Sequence, residues 1–195
     1  CVMSEFTARC LEEHFGYPKE RCHLVPPAIE TVAIPETCER ETQNYLLYPA
    51  VTWAHKEHKF LIKVIEQFKD LDLVLVGGRG PLHNEVLKAI QRSPASDRIT
   101  HLGTVDQEKL DELYRHALCT AFPSQYEGFG QPVIEAMARG CPVISSQGGA
   151  LPDTVGTGGI TIPTELDQWI EAVNTVRQPD RRQQWIDNGF KRAAD

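Results

Sequence analysis

The sequence predicts an α/β fold with a doubly wound parallel sheet, and three observations support this fold class. From about residue 45 onward, short apolar runs alternate with longer segments of helical periodicity. The apolar runs are nearly continuous stretches of Val, Ile and Leu, as expected for strands that are covered on both faces. Each run is followed by a helical segment, so right-handed crossovers build a Rossmann-like sheet. Such a sheet places its ligand crevice at the carboxyl ends of the strands.

The predicted elements follow one another in order along the chain. The segment 56–70 sets its large apolar side chains mostly on one helical face, which indicates an amphipathic helix. A later helix begins near Gln131-Pro132 and ends at Gly140, since proline suits a first helical turn and glycine a helix end. The strands are predicted at 45–52, 71–78, 98–105, 117–124, 142–147 and 159–163. The helices are predicted at 56–70, 81–93, 106–116, 131–140, near 151, and at 164–176 and 180–194.

The first forty residues do not follow this alternation. They have the pattern of the end of a strand, a helix, and an extended segment stopped by Pro26-Pro27, and the stretch 30–44 is polar and loop-like. We therefore predict that residues 1–40 hold the end of an N-terminal domain and an interdomain linker, and that 41–195 form a C-terminal domain. Because the chain opens at Cys1-Val2-Met3 rather than at an initiator methionine, we expect a piece of a longer protein.

Composition limits the class of protein. A chain of 195 residues with 41% hydrophobic and 24% charged residues is typical of a soluble globular domain, and no apolar stretch is long enough for a membrane span. The net charge of −7 argues against a broad nucleic-acid surface but allows a small anionic ligand. The six cysteines form no CxxC pair, so we expect reduced thiols, with disulfides or a metal site as alternatives. Without a secretory signal, we expect a cytoplasmic protein.

The stretch "SQYEGFGQPVIEAMARG" suggests a site. Gly128-Phe129-Gly130 lies between a strand and a helix, where bare backbone N–H groups and the helix N-terminus together suit a phosphate or a sugar hydroxyl. Glu127 and Glu135 flank this turn, and a carboxylate accepts a pair of hydrogen bonds from a vicinal diol. The alternatives are that the glycines only tighten the turn, that Glu127 caps the helix, and that Glu135 is a solvated acid favoured by the helix dipole.

The same stretch carries a family resemblance. "PSQYEGFGQPVIEAMARGCPVISSQGGALPDTVGTGGI" closely resembles the signature of retaining GT-B glycosyltransferases of family 4, the glycosyl transferases group 1. The blocks "HLVPPAIE", "YPAVTWAHKEHKFLIKVIEQF", "LVLVGG" and "RITHLGTVDQEKLDELYRHA" are similar to other parts of that family in the same order. The resemblance implies that the chain is the C-terminal, nucleotide-sugar-binding half of a GT-B fold.

The resemblance also implies roles for individual residues. Lys56 and Glu127 resemble the catalytic-site residues, the lysine neutralising phosphate charge and the glutamate contacting the donor sugar. No metal and no cofactor is implied, because cations and dipoles stabilise the leaving diphosphate. The remaining donor-binding residues are Glu135 at the ribose, Gly128, Phe129 and Gly130 at the sugar and diphosphate, Thr104 and Val105 at the base, and Gly78.

Some positions depart from the family. Ala50 stands where many members carry an arginine, so one phosphate cation is absent, and His55, His58 or Arg79 are the candidates to replace it. A lone histidine is more often exposed or helix-capping than a ligand. Asp153 stands where glutamate is usual. The acceptor site and the catalytic-site histidine belong to the N-terminal domain, which we expect to lie outside this chain.

We therefore expect part of an enzyme that transfers a hexose from a UDP-, GDP- or ADP-linked sugar to an acceptor with retention of configuration. The missing domain would bind the acceptor, a glycan, lipid or small molecule, and make any peripheral membrane contact, while nucleic acid is not an expected partner. The chain alone is expected to be inactive. The alternatives are a stand-alone nucleotide-sugar-binding module and a nucleotide-sugar epimerase of the same fold.

Overall fold

The computed structural model describes residues 1–29 and 42–194, whose centre is one six-stranded sheet. All neighbouring strands pair in parallel, and the spatial order is β3-β2-β1-β4-β5-β6. This order is that of the doubly wound Rossmann fold, so the predicted fold class is confirmed. The strands are β1 Tyr45–Pro49, β2 Asp72–Val76, β3 Ile99–His101, β4 Cys119–Phe122, β5 Val143–Ser145 and β6 Ile160–Thr161.

Eight α-helices lie among the described residues, and seven of them follow the strands as predicted. They are α1 Glu5–Phe15, α2 His58–Ile65, α3 His83–Arg92, α4 Gln107–His116, α5 Gln131–Ala138, α6 Leu151–Val155, α7 Leu166–Val176 and α8 Pro179–Ala194. None of the described helices is both long and apolar enough to cross a bilayer.

The start of α2 differs from the prediction. The sequence predicts a helix from Lys56, but Ala54–Lys56 forms a 3-10 turn and α2 begins at His58. Between them, Glu57 has a φ of 53°, in the left-handed region that side chains other than glycine rarely adopt. This backbone reversal separates Lys56 from the helix and holds it in a loop at the carboxyl end of β1.

The core surrounds the sheet on both faces. Leu46, Leu47 and Tyr48 on β1 are fully buried, as the nearly continuous apolar runs predicted. Helices α2 and α7 meet through an edge-to-face pair of Phe60 and Trp169, whose ring centres are 5.3 Å apart. Burial of each large apolar side chain contributes about 1.5–3 kcal/mol, so this central layer dominates the stability of the domain.

Residues 1–29 form a small unit beside the domain. A parallel bridge joins Val2 to Leu24, and between them α1 begins at the N-cap Ser4 and ends at Gly16. The Ser4 hydroxyl accepts a hydrogen bond from the Thr7 amide at 3.1 Å, which satisfies one of the free N–H groups of the helix start. The predicted domain boundary at residue 40 lies outside the described residues, as does most of the polar stretch 30–44.

No disulfide joins the cysteines in the described parts of the chain. Cys119 and Cys141 are buried near the sheet, and burial raises the pKa of the Cys119 thiol far above its usual value. The other described cysteines lie in the first 29 residues, and they are Cys1, Cys10 and Cys22. Cys38 belongs to the segment that is not described. Within the described ranges, no cluster of three or more His, Cys, Asp or Glu residues has the arrangement of a metal site.

Candidate functional site

The site lies where the loops after β1 and β4 leave the sheet. These strands are neighbours, and the chain winds away from them in opposite directions, which opens a crevice at their carboxyl ends. The amide of Gln125 donates to the carbonyl of His55 at 2.7 Å and ties the two loops together. The hydroxyl of Tyr48 donates to the carbonyl of Lys56 at 2.6 Å and lies 3.1 Å from the Ser124 hydroxyl. These bonds bring the Lys56 loop against the Glu127 loop.

Lys56 and Glu127 form an ion pair across this crevice. The lysine Nζ contacts the glutamate Oε1, and the two side chains are only 16% and 13% exposed. The lysine ammonium also lies 5.5 Å from the centre of the Phe122 ring. An ammonium has three N–H donors, so this pairing leaves Lys56 able to donate to an anion as well. The structure therefore brings together two residues that are 71 positions apart in the sequence.

The glycine turn between β4 and α5 has all its carbonyl groups occupied. Three consecutive carbonyls accept hydrogen bonds from neighbouring elements, and that of Gly130 accepts within the first turn of α5. By contrast, the amides of residues 128–130 have no acceptor among the described residues. The donor–acceptor pairs are Ala150 N to Glu127 O, Ser4 Oγ to Gly128 O, Thr154 Oγ1 to Phe129 O, and Val133 N to Gly130 O.

The free amides lie at the N-terminus of α5. Gly130 is the N-cap of this helix, with a φ of 90° that favours glycine, and a Cβ there would lie 2.8 Å from the Leu151 side chain. Free N–H groups and the positive end of a helix dipole both attract an anion. With Lys56 nearby, the turn has the composition of an anion-binding site.

A second pair of glycines supports the turn, and the sequence reasoning missed it. A Cβ on Gly149 would overlap the carbonyl oxygen of Glu127, and a Cβ on Gly148 would overlap that of Ser124. These two residues thus allow the loop after β5 to pack directly against the Glu127 loop. The adjacent glycines of "SSQGGAL", just after a predicted strand, were the signal that could have found them.

Glu135 lies on the first turns of α5 and is half-buried. One carboxylate oxygen accepts from the Gln131 amide at 3.0 Å, and the other lies 3.4 Å from the Tyr114 hydroxyl, which is closer, at 3.2 Å, to the Pro132 carbonyl. Burial raises the pKa of Tyr114 well above its usual value, so this hydroxyl stays protonated and can donate. The partners of Glu135 thus come from α4 and α5, whereas Glu127 pairs with Lys56.

The structure contradicts one alternative for Glu127. A helix cap would need its carboxylate on an N–H group at the start of α5, but no side chain caps this helix. The carboxylate pairs with Lys56 instead.

A second cavity follows β2 and β3. It has a volume of about 390 Å³, and a Cβ on Gly78 would lie 3.8 Å from the Thr104 hydroxyl, so these two predicted residues lie together. Val105, predicted beside them, packs against the hydrophobic core instead of lining the cavity. The lining residues are Gly77, Gly78, Arg79, His83, Leu87, His101, Leu102, Gly103 and Thr104.

The three candidates for the absent phosphate cation differ in their surroundings. His58 is only 2% exposed, so the expectation of an exposed or capping histidine is wrong for it. Burial lowers its pKa to about 4, and it is therefore neutral near pH 7 and cannot serve as a cation. His55 is half-buried in the loop that holds Lys56. Arg79 is exposed and lines the second cavity.

Together, the doubly wound sheet and the crevice between β1 and β4 define a class, the α/β domains with a ligand crevice at their strand ends. Comparison with known proteins identifies the family within this class. The profile of the family described as glycosyl transferases group 1 matches residues 32–192, and the chain belongs to this family. The resemblance found in the sequence is thus confirmed, and the domain is a glycosyltransferase domain.

Individual relatives agree with this assignment. The chain is 30% identical over 182 residues to O-antigen chain mannosyltransferase B of Escherichia coli, a match that covers 85% of this chain and 48% of that protein. The structure of sucrose-phosphate synthase from Thermosynechococcus elongatus is similar with a TM-score of 0.85 at 26% identity, covering 99% of this chain and 52% of that one.

A structure of Anabaena HepE in complex with UDP and glucose is similar in fold, with a TM-score of 0.86 at 18% identity, over 99% of this chain and 57% of that one. The chain spans about half the length of the curated relatives that it matches over most of its own length.

Proposed function

We propose that this chain is the donor-binding, C-terminal half of a retaining glycosyltransferase that transfers a hexose from a nucleotide sugar. The observation that carries the proposal is the pairing of Lys56 with Glu127 beside a glycine turn whose amides lack acceptors among the described residues. The mannosyltransferase relative supports a hexose, and the similar fold of HepE, solved with UDP and glucose, supports a nucleotide-sugar donor.

In this proposal the diphosphate lies at the N-terminus of α5. The amides of residues 128–130 and the Lys56 ammonium would donate to its oxygens, where negative charge grows as the bond between the sugar and the phosphate breaks. Donors that are already oriented stabilise such charge without reorganising during the reaction. The proposed chemistry therefore uses no metal ion and no cofactor.

The two glutamates would bind the two sugars of the donor. Glu127 would accept from hydroxyls of the transferred hexose while its other oxygen keeps Lys56 in place. Glu135 would accept from the ribose hydroxyls, because its carboxylate has lone pairs beyond those that Gln131 and Tyr114 use. The base would then lie towards the cavity of Gly78 and Thr104.

The remaining parts of the reaction belong to a second half that the proposal assigns to the full-length protein. That half would carry the acceptor, a glycan, lipid or small molecule, and close over the crevice. In the retaining reaction, the acceptor oxygen bonds to the sugar carbon on the face that the diphosphate leaves, and the proton of the acceptor hydroxyl passes to that leaving group. The Lys56 side chain would stay near the departing oxygens throughout.

Donor binding tests the proposal directly. Calorimetric titration with UDP, GDP, ADP and their sugars is expected to give binding with at least one base. Glu135→Ala is expected to weaken that binding about tenfold, since a hydrogen bond to a charged group contributes about 1.5–3 kcal/mol and part of it is regained from water.

The matched control is Glu108→Ala, on the exposed first turn of α4, which is expected to leave the affinity unchanged. Absence of binding for every nucleotide at millimolar concentration would contradict the proposal. Equal affinity of the Glu135→Ala variant and the unaltered chain would contradict the assignment of Glu135.

A further inference from the structure

The first turn of α1 holds one carbonyl group of the glycine turn. The Ser4 hydroxyl donates to the Gly128 carbonyl at 2.8 Å, across 124 positions of sequence. The Thr7 hydroxyl lies 2.9 Å from that of Ser4 and 3.4 Å from the same carbonyl oxygen. Ser4 is only 5% exposed, so water competes little for this bond. Among the described residues, these two hydroxyls are the only donors to the Gly128 carbonyl.

Two further contacts join α1 to the same region. The ring of Phe6 packs edge-on against that of Tyr126, next to Glu127, with the ring centres 5.7 Å apart. Arg9 forms an ion pair with Asp153 at 2.8 Å, in the helix that also supplies the donor to the Phe129 carbonyl. The helix therefore contacts the glycine turn, the residue before Glu127, and the helix behind the turn.

The Gly128 carbonyl determines the direction of the next amide. The C=O of Gly128 and the N–H of Phe129 belong to one planar trans peptide unit, so they point in opposite directions. Holding the carbonyl towards Ser4 therefore aims the Phe129 N–H towards the opposite side, away from α1. Gly128 itself adds no restraint on this peptide, since it has no side chain and open space surrounds its Cβ position, whereas the Phe129 side chain on the other end packs against the hydrophobic core.

The neighbouring peptides are fixed by the domain itself. Ala150 N holds the Glu127 carbonyl and Thr154 Oγ1 holds that of Phe129, and these bonds aim the Gly128 and Gly130 amides in the same way. Only the middle amide of the three is aimed by a direct hydrogen bond from residues 1–29.

We propose that Ser4, assisted by Thr7, is a positioning residue that aims the Phe129 amide at the anionic group of the donor. This inference rests on the proposed function of the crevice and extends the donor-binding machinery to α1. Displacement of α1 frees the peptide between Gly128 and Phe129 to rotate and removes one of three oriented donors. The position of the N-terminal unit thus controls donor affinity.

Substitutions at Ser4 separate this role from helix capping. Ser4→Asp keeps a good N-cap but has no proton to donate to the Gly128 carbonyl, whereas Ser4→Thr keeps both the cap and the donor. Ser4→Gly removes the hydroxyl without adding charge, and glycine caps nearly as well as serine, so this variant serves if Ser4→Asp does not fold. Thermal unfolding by circular dichroism checks the fold of each variant.

The probes are UDP, GDP and ADP, each compared with its nucleoside by NMR titration. Ser4→Asp and Ser4→Gly are expected to weaken diphosphate binding about tenfold, the equivalent of about 1.4 kcal/mol, and to leave nucleoside binding unchanged. Ser4→Thr is expected to bind the diphosphate within about twofold of the unaltered chain, because it restores the donor.

The outcomes distinguish this inference from the function on which it rests. If the unaltered chain binds no nucleotide, the proposed function fails. If the unaltered chain binds and the folded variants bind the diphosphate equally well, the function stands and the positioning role of Ser4 is overturned. An equal loss of nucleoside and diphosphate binding also overturns it, since general damage to the site would affect both.

Discussion

His58 is a buried histidine whose environment disfavours a charge. Its Nε2 lies 3.3 Å from the Ala50 carbonyl, its ring packs against Tyr48 with centres 4.9 Å apart, and its Nδ1 has no partner among the described residues. Burial is the main cause that lowers its pKa, and nearby His101 and Lys56 add to the effect. The position therefore supports the Lys56 loop by packing and not by charge.

This environment predicts a pH dependence of stability. The pKa of His58 is lowered from 6.5 to about 4, so between these values the unfolded chain takes up a proton that the folded chain does not. The contribution of neutral His58 to the free energy of unfolding is complete above pH 6.5 and is lost as pH falls towards 4. About 2 kcal/mol of it is lost by pH 5. His58→Gln is expected to reduce the loss of unfolding free energy between about pH 7 and pH 5 by that amount, as measured by urea denaturation.

The control is His14→Gln, which removes an exposed histidine on α1, so that the effect of the buried position is measured as the difference between the two variants. An identical pH dependence in His58→Gln and the unaltered chain would show that His58 does not carry this effect.

At the residue scale, the sequence predicted the identity of the crevice residues better than their partners. Lys56 and Glu127 were both assigned to the site, but their ion pair depends on two loops meeting across the sheet. The burial of His58 was not predictable either, because it depends on contacts with Tyr48 and Ala50 from the region of β1.

At the element scale, the loop after β5 acts as a support for the glycine turn. Its residue Gly149 has a φ of 63° and packs so closely on Glu127 that a Cβ would overlap backbone atoms. The amide of the next residue, Ala150, donates to the Glu127 carbonyl at 2.8 Å. Close packing of two backbones therefore fixes the position of the Glu127 loop.

Gly149→Ala tests this support against a matched position. Gly16, at the end of α1, has the same φ of 63° but open space around its Cβ position. Gly16→Ala is expected to lower the free energy of unfolding by about 1–2 kcal/mol through backbone strain alone. Gly149→Ala is expected to cost about 1–3 kcal/mol more, because the two loops must also move apart. Urea denaturation measures both losses, and equal losses would contradict a close packing of these loops.

The strands and helices themselves were largely predictable, since hydrophobic periodicity is a local property. The first and last residues of these elements were less predictable. The strand predicted at 98–105 is reduced to Ile99–His101, because the chain turns at Gly103, with a φ of 72°, to line the second cavity. The turns that form the site therefore determine where such strands end, rather than the length of the apolar pattern.

At the scale of the whole molecule, the described residues form the crevice between β1 and β4 and, in our proposal, half of a catalytic site. Closure by a second half would exclude water and bring the acceptor to the donor. The unit of residues 1–29 contacts the crevice through Ser4 and Phe6, so it is the part of this chain through which such closure would reach the glycine turn.

We therefore expect the chain alone to bind nucleotide sugar but to transfer no sugar to an acceptor. The measurement is product analysis after incubation with UDP-, GDP- and ADP-hexoses and a glycan acceptor, with calorimetric donor binding as the positive control. Transfer above the level of a protein-free reaction would contradict the need for a second half. Release of an epimerised nucleotide sugar would indicate the alternative chemistry of the same fold.

The sequence by itself determined the doubly wound fold, the family and the residue types of the crevice, because periodicity, glycine turns and ordered motif blocks are properties of short segments. Only the tertiary structure decided which of these residues meet. Glu127 pairs with Lys56 rather than capping α5, Val105 joins the core, and the Ser4 hydroxyl reaches Gly128 across 124 positions. Such contacts depend on how whole elements pack, and no local pattern specifies that packing.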